Sequence, residues 1–405
     1  CIRDRPVTLR FAKFDLVRNQ WRRYNRDLRE SGISEPNNTP SNLEFDIYSV
    51  NIEENSQKFP FNYVVPPGIQ RERSVGTYAN ILRNEQSLAL NICNLEDGNA
   101  AAMYKNLNED FRNYERLKMF VHAEETDMPI ETGETSVFIR LGSDYTRNYY
   151  EYEIPLRMAD RDISRDSLLR NLENIVWDPQ NEFDFPLELF KNLKIERNNS
   201  GSSLTVPYES TDPDKPANRV SIIGNPNLGI IKGIMVGVRN RSDDGLDKCL
   251  EVWVNELRLN GLNEQGGGAA LARLDLQLAD FGRLSLSGNY SSIGWGAIDQ
   301  KLAERNLEEV VQYDVAANLE LGKFFGERTG LRIPFYAQYS TTKRNPKFDP
   351  YDLDIELKDK LSETPDREIR DSIRDLAIDQ TEIKSFNFTN VRKERTSQKK
   401  PMPWD

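Results

Sequence analysis

Among the side chains that could do chemistry, carboxylates are numerous, whereas there is a single histidine. His122 lies in the strand-like run 119–124, so any Ser-His-Asp arrangement or multi-histidine metal site would depend on it. A histidine in such a run is more often a structural residue than a general base. Glycosidases need only two carboxylates, but nothing in this sequence fixes a pair at a catalytic separation. The candidates are Glu124, Glu125, Asp127, Glu151 and Glu153.

Two further groups of residues could bind a ligand. Asp212–Asp214 and Asp243–Asp244 carry carboxylates suited to calcium, but neither has the spacing of a known calcium loop. Four tyrosines, at positions 145, 149, 150 and 152, could stack on sugar rings, although alternation along a strand places half of them in the core. We therefore predict no catalytic residue, no metal ligand and no cofactor, and keep carbohydrate binding as an alternative.

Composition and charge narrow the classes of partner. The chain has 405 residues, of which 38 % are hydrophobic, so two or three domains with real cores are expected. Its formal net charge of −11 argues against nucleic acid, because phosphate binding requires a basic surface. No apolar run is long enough for a transmembrane helix, and no signal peptide is recognisable at the start.

Cysteine usage gives no disulfide framework, because the count is odd. The three cysteines are Cys1, Cys93 and Cys249. Cys93 and Cys249 lie in apolar strand-like runs, so we expect two small buried thiols. Cys1 is either a lipidated residue or, as the simpler interpretation, the boundary of a fragment.

Four runs between Ala270 and Thr342 alternate apolar and polar residues, which gives a strand one apolar and one polar face. Each run has roughly the 9 to 11 residues that a tilted strand needs to cross a bilayer. In a membrane barrel the apolar face meets lipid and the polar face lines the lumen, whereas in a soluble sandwich the apolar face meets a second sheet. The predicted lipid-facing residues are Leu274, Leu276, Leu278, Leu284, Leu286, Tyr313, Val315, Leu319, Leu321, Ile333, Phe335 and Tyr339. The predicted lumen-facing residues are Arg273, Asp275, Gln277, Gln312, Asp314, Asn318, Glu320, Arg332 and Gln338.

The connections between the runs favour the membrane interpretation. A tight turn at 280–282 joins the first two runs and residues 322–330 join the last two, whereas 291–309 form a long loop between the pairs. Short turns on one side and long loops on the other are typical of bacterial outer-membrane barrels, in which the short turns are periplasmic. Four strands cannot close a barrel and an open edge cannot lie in lipid, so this interpretation makes the chain part of a longer polypeptide.

Many short strands and few helices predict a jelly-roll or lectin-like β-sandwich over residues 1–262, on the extracellular side. Its strands are expected near 10–24 and at 43–52, 87–95, 117–124, 136–141, 149–156, 230–238 and 250–259. We also expect helices at 164–175 and 186–193, and a bulge near Asn255. A hinge at 266–268 leads to the barrel strands over 269–342. Residues 343–405 are predicted to form a long extracellular-side loop, with a helical segment at 353–378 and a short strand-like piece at 386–388.

Several long irregular strings resemble the SprA/Sov family of Bacteroidetes. They are VPPGIQRE at 65–72, RLKMFVHAE at 116–124, GNPNLG at 224–229, VWVNELRL at 252–259, GWGAIDQK at 294–301 and FNFTNVRK at 386–393. The resemblance implies a segment of the outer-membrane translocon of the type IX secretion system, a very large single-chain barrel that exports folded cargo and gliding-motility adhesins. The partners it implies are secreted cargo proteins, a PorV-like outer-membrane barrel, a plug protein and outer-membrane lipid. The family has no catalytic residues to carry over.

The predicted fold is therefore mainly β, with a jelly-roll or lectin-like sandwich followed by antiparallel transmembrane strands of a very large barrel. The predicted function is a non-enzymatic segment of a protein-conducting channel in the outer membrane. The alternative is a barrel-anchored cell-surface protein that binds carbohydrate or mediates adhesion. A soluble sugar-active enzyme is a third interpretation.

Overall fold

Antiparallel β-sheet is the main secondary structure of the described residues. The computed structural model describes residues 20–26, 28, 42–71, 73, 82–160, 172–301 and 304–395. The chain divides into two compact units, Cys1–Gly261 and Leu262–Asp405. The strand expected near 10–24 lies mostly outside the described residues, as do Cys1 and most of the helix expected at 164–175.

Two sheets form the first unit. Its strands are β1 (Arg22–Arg23), β2 (Glu44–Asn51), β3 (Gln86–Leu95), β4 (Ala100–Glu109), β5 (Tyr114–Glu125), β6 (Thr135–Gly142), β7 (Tyr149–Pro155), β8 (Phe183–Pro186), β9 (Tyr208–Thr211), β10 (Arg219–Ile223), β11 (Ile231–Asn240) and β12 (Lys248–Leu262). One sheet has the order β1-β4-β11-β6-β7-β10-β9 and the other has β2-β3-β12-β5-β8. Helical residues 172–176 (α1) and the helix α2 (Glu188–Ser200) complete the unit. The seven strands predicted between 43 and 259 are thus present, together with β4, β8, β9 and β10, which were not predicted.

One buried core lies between the two sheets. Val137 and Ile139 of β6 enter it from the larger sheet, and Leu90 and Ile92 of β3 enter it from the smaller one. The ring of Tyr152 on β7 stacks on that of Phe185 on β8, with 3.9 Å between the centroids. Alternate residues of each strand point into this core, as expected for packed sheets.

The expectation of two free thiols is wrong. Cys93 and Cys249 form a disulfide. The register of β12 against β3 shifts between Lys248 and Leu250, so that Cys93 and Asn94 together lie opposite Cys249. This bulge brings the two cysteines together across neighbouring strands, which an odd cysteine count did not indicate.

The second unit carries a single large sheet. Its strands are β13 (Ala269–Leu278), β14 (Gly282–Ser291), β15 (Glu308–Glu320), β16 (Leu331–Arg332), β17 (Pro334–Pro346), β18 (Phe348–Asp349), β19 (Asp352–Glu356), β20 (Asp379–Phe388) and β21 (Arg392–Lys393). The large sheet has the order β13-β14-β15-β17-β20, with antiparallel pairing. Between β19 and β20 lie helices α3 (Leu357–Glu363) and α4 (Arg367–Ala377).

Sequence alternation identified four of these five strands. β20 was recognised only at 386–388, because Ile383 has the opposite parity to Phe386 and Phe388 and breaks the pattern. Two of the predicted runs end or break early. Leu321, the last residue of the third run, begins a short 3₁₀ helix, and Ile333 of the fourth run lies between β16 and β17. The helices α3 and α4 fall within the predicted helical segment 353–378.

Candidate functional site: a two-faced sheet

The register of the five-stranded sheet aligns the apolar residues of neighbouring strands. Leu274 lies opposite Leu286, which lies opposite Val315, which in turn lies opposite Tyr339. Leu276 pairs with Leu284, and Leu319 pairs with Phe335. Since paired residues share a face of the sheet, ten of the twelve predicted lipid-facing residues lie on one face, which we call the apolar face. Leu321 and Ile333 lie outside the sheet, so the register gives them no face.

The apolar face is accessible. Leu274, Leu276, Leu278 and Tyr313 remain 49 %, 39 %, 40 % and 46 % exposed. Among the described residues, no cluster of buried hydrophobic side chains includes a residue of this sheet. A continuous exposed apolar surface of this kind marks contact with lipid or with another protein.

The opposite face is polar and carries hydrogen bonds between strands. Ser285 Oγ donates to Asp275 Oδ1 at 2.7 Å, and Ser287 Oγ donates to Asp314 Oδ2 at 3.4 Å. Arg273 pairs with Asp275 at 2.9 Å. Eight of the nine predicted lumen-facing residues share this face by register, namely Arg273, Asp275, Gln277, Gln312, Asp314, Asn318, Glu320 and Gln338.

Glu320 and the ninth predicted lumen-facing residue, Arg332, make local contacts at the end of the sheet. Glu320, the last residue of β15, accepts a hydrogen bond from the Ile333 backbone N–H at 2.6 Å. Arg332 belongs to the separate two-stranded sheet with β21 and pairs with Glu394 at 3.1 Å. Glu320 therefore links β15 to the segment before β17, and Arg332 links that segment to Glu394 after β21.

Four aromatic side chains cross the apolar face in a diagonal line. The line begins at Tyr290 on β14 and continues through Tyr313 on β15 and Tyr339 on β17 to Phe386 on β20. From each strand to the next, the aromatic residue lies two residues nearer the β13–β14 turn. Two residues advance a strand by about 6.8 Å and strands lie about 4.8 Å apart, so the line is inclined by about 55° to the direction across the sheet. Sequence reasoning missed this line, because it needs the register of all four strands.

The apolar face ends beyond this line. On β17 the next residues on the same face are Thr341 and Lys343, and on β20 they are Lys384 and Glu382. Lys384 and Glu382 form an ion pair at 3.2 Å. The aromatic line therefore separates an apolar band from a charged margin.

Most of the residues considered for sugar stacking or catalysis lie in the interior of the first unit, whereas Asp127 is exposed. Tyr149, Tyr150 and Tyr152 are buried, and Tyr145 packs against Tyr104 with 5.3 Å between the ring centroids. Sugar stacking requires an accessible ring face, which the three buried tyrosines do not offer. Asp212 accepts a hydrogen bond from the Tyr152 hydroxyl at 2.5 Å, so this carboxylate of the calcium candidate is part of the core.

Glu151 and Glu153 belong to a buried ion-pair network. Glu151 pairs with Arg140 on β6 and, at 3.1 Å, with Arg239 on β11. Glu153 pairs with Arg239 at 2.5 Å and with Arg241. Burial alone would raise the pKa of Glu151, but the charges of Arg140 and Arg239 lower it to about 2. Such a carboxylate stays ionised and paired, and it lacks the proton affinity of a general acid.

Glu124 is paired as well. It lies within the first unit and contacts Lys58 at 2.5 Å, while the same ammonium contacts Glu251 at 2.9 Å. Lys58 also lies 4.7 Å above the Trp253 ring. Glu125 accepts a hydrogen bond from the Ile130 backbone N–H at 3.1 Å, which gives it a role in the turn after β5.

His122 is a core residue. Its Nδ1 lies 2.7 Å from the carbonyl oxygen of Val176, and its ring packs 4.2 Å from the Trp253 ring, centroid to centroid. Burial lowers the pKa of His122 from 6.5 to about 3, so the ring is neutral at physiological pH and Nδ1 donates to Val176. Its surroundings are those of a structural histidine, as its place in a strand-like run suggested.

Within the described ranges, no group of three or more histidine, cysteine or carboxylate side chains is arranged to hold a metal ion. None of the helices in the described part of the chain combines the length and apolar content needed to cross a membrane.

Comparison with known proteins agrees with the resemblance seen in the sequence. A family model described as motility related/secretion protein, SprA_N, matches residues 3–361 of the 405-residue chain. A search of curated proteins finds no match. Because the family match covers most of the chain, the protein belongs to the SprA_N family of motility-related/secretion proteins.

Proposed function

We propose that the five-stranded sheet is part of the wall of an outer-membrane channel that exports folded type IX secretion cargo, including gliding-motility adhesins. The observation that carries the proposal is the exposed apolar face backed by a polar face. Its strands have 10 to 13 residues, enough to cross a bilayer when tilted. In this arrangement the apolar face contacts lipid and the polar face hydrates the passage.

The edges of the sheet require further strands. Within the described residues, β13 and β20 each have one neighbour in the sheet. An unpaired strand edge in lipid leaves backbone groups without hydrogen bonds, so the channel wall must continue in strands from the rest of a longer protein. Such a closed wall would be part of the very large barrel that the family resemblance implies.

The first unit fits a location outside the cytoplasm. The disulfide between Cys93 and Cys249 is of a kind that persists in oxidising compartments such as the periplasm and the cell surface. If the β13–β14 turn is periplasmic, β13 starts on the extracellular side, and the jelly-roll or lectin-like unit before it belongs there. The secreted cargo, the PorV-like barrel and the plug protein are the partners proposed for the assembled channel.

Two adjacent alanines on β15 provide a matched test. Ala317 lies on the apolar face opposite Leu284 and Ala337, whereas Ala316 lies on the polar face opposite Ser285 and Gln338. An arginine facing lipid near the bilayer centre costs about 2–4 kcal/mol, while one facing a watery lumen costs little. In the full-length protein, Ala317→Arg should reduce both the folded protein in the outer membrane and cargo export, and Ala316→Arg should preserve both. Equal effects of the two variants would contradict the proposal.

A further inference from the structure

A cavity of about 820 Å³ lies at the margin of the five-stranded sheet and is lined by residues of its strands and of α3 and α4. Val311 on β15 and Lys343 on β17 form part of its lining and face each other in the strand register. Leu361 of α3 and Ile378 after α4 line another side. The cavity is therefore continuous with the apolar face of the sheet.

Cations dominate the charged lining of this cavity. The four are Lys343, Lys347, Lys358 and Arg374. The two lining carboxylates already have partners: Glu356 contacts Lys347 at 3.5 Å, and Glu309 accepts a hydrogen bond from the Tyr290 hydroxyl at 3.0 Å. Among the described residues, Lys343 and Lys358 have no ion-pair partner. Four cations against two carboxylates leave the lining with a net charge of about +2, and Arg374 also contacts Asp371, outside the lining, at 3.9 Å.

The cavity lies beyond the aromatic line, on the side away from the apolar band. Tyr290 and Tyr339 belong to that line, and Lys343 lies two residue pairs beyond Tyr339 on the same face. Tyrosine side chains concentrate at the level of lipid headgroups, with the ring in the apolar region and the hydroxyl in water. If the apolar band contacts lipid, the cationic cavity lies at headgroup level.

We infer that this cavity binds the phosphate headgroup of an anionic membrane lipid, whose acyl chains run along the apolar face. Lys343 and Lys358 supply positive charge without an ion-pair partner among the described residues, and Arg374, which contacts Asp371 at 3.9 Å, has further N–H groups that can donate to phosphate oxygens. Val311, Leu361 and Ile378 offer apolar contact to the first part of the acyl chains. This inference rests on the proposed membrane placement of the sheet, and it adds a specific lipid site to it.

The test uses the full-length protein in nanodiscs of phosphatidylcholine containing increasing fractions of photo-crosslinkable phosphatidylglycerol. Crosslinking to the peptides that contain Lys343 and Lys358 reports occupancy. Each lysine near a headgroup contributes about a fivefold gain in binding, so Lys343→Gln/Lys358→Gln should require roughly 25-fold more anionic lipid for half-saturation. Lys343→Arg/Lys358→Arg should bind like the wild type. Lys384→Gln is the matched control, because Lys384 lies on the same face outside the cavity and is already paired with Glu382.

Two results would overturn the inference. One is an unchanged half-saturation in the glutamine double variant. The other is displacement of the crosslink by inorganic phosphate alone, which would assign the cavity to a soluble anion. The lipid site and the proposed membrane channel can fail separately. The accessibility of spin labels along the same sheet, to lipid-phase and water-phase reagents, distinguishes the two cases. If β15 alternates between lipid and water while the cavity shows no lipid preference, only the lipid site is rejected.

Discussion

Tyr313 on β15 and Tyr339 on β17 lie on the same face of the sheet, with their ring centroids 6.0 Å apart. They are diagonal neighbours, because Tyr313 pairs with Thr341 and Tyr339 pairs with Val315. This diagonal step, repeated from Tyr290 to Phe386, is what a flat membrane surface traces on strands that are tilted to it. Strands of outer-membrane barrels are tilted by about 35–45°, somewhat less than the roughly 55° of this line.

On the proposed membrane placement, the aromatic line predicts where β17 leaves the lipid. Spin labels at Phe335 and Ala337 should be accessible to oxygen, which concentrates in the lipid phase, and labels at Thr341 and Lys343 should be accessible to a water-soluble nickel reagent. On β15 the line passes through Tyr313, which lies two residues further from the β13–β14 turn than Val315, the partner of Tyr339, so the boundary should lie at Tyr313 there. If the boundary fell at two residues that pair with each other in the register of β15 and β17, the strands would not be tilted to the membrane.

The disulfide predicts a stabilised first unit. Removing it by Cys93→Ser/Cys249→Ser should lower the free energy of unfolding by about 2–5 kcal/mol, because the bond closes a long loop. Urea-dependent proteolysis of the full-length protein measures the loss, and reduced wild type should match the variant. Ready alkylation of Cys93 or Cys249 in the folded, unreduced protein would show that the bond is absent.

The buried network predicts a large cost for losing one carboxylate. Glu151→Gln leaves Arg140 without its partner and should destabilise the first unit by about 3–5 kcal/mol at neutral pH. The control is Glu209→Gln, which breaks the surface pair between Glu209 and Arg219 and should cost about 0–1 kcal/mol. Similar losses in the two variants would mean that the network is solvated.

The same carboxylate predicts a dependence on acid. The pKa of Glu151 is lowered from 4.5 to about 2, so its contribution is complete above pH 4.5 and is lost as the pH falls toward 2. The free energy of unfolding of the wild type should fall between pH 4.5 and pH 2. In Glu151→Gln the free energy of unfolding should depend less on pH over that range. An unchanged slope in the variant would assign the acid sensitivity to other groups.

His122 predicts a second window at higher pH. Its pKa is lowered from 6.5 to about 3, so between these values the unfolded chain binds a proton that the folded protein does not. Stability should therefore be complete above pH 6.5 and decline as the pH falls below it. His122→Phe removes the hydrogen bond to Val176, so its free energy of unfolding at neutral pH should be about 1–3 kcal/mol lower than that of the wild type. Between pH 6.5 and 4.5, however, the free energy of unfolding of the variant should fall less than that of the wild type. A parallel profile in the variant would mean that His122 is protonated in the fold.

Local sequence was sufficient to assign the two faces of the large sheet. The order Leu274, Asp275, Leu276 fixes opposite sides of a strand by parity alone, whatever the partner strand. β20 escaped recognition because its parity is mixed. The aromatic line and the cationic cavity depend on the register of separate strands and on helices that return to the sheet, which are non-local relationships.

In the first unit, alternation of apolar and polar residues did not predict which side chains are buried. All eight residues of β6 are buried, including Arg140, because the outer face of the larger sheet is itself covered. Phe138, Ala102 and Met235 form a separate small core on that side. Alternation could not predict this second buried layer, and so it left Tyr149 as a candidate for sugar stacking. The pairing of Cys93 with Cys249 likewise required the bulge between β3 and β12.

Cysteine accessibility along β15 tests the central claim most directly. Single cysteines at 312–315, 318 and 319 of the full-length protein would be labelled in native outer membranes without reductant, which leaves the Cys93–Cys249 disulfide intact and unreactive. The account predicts that positions 312, 314 and 318 react with a water-soluble maleimide, whereas 313, 315 and 319 react only with a lipid-phase reagent. Equal labelling of the two sets would place the sheet in a soluble domain and contradict the channel assignment.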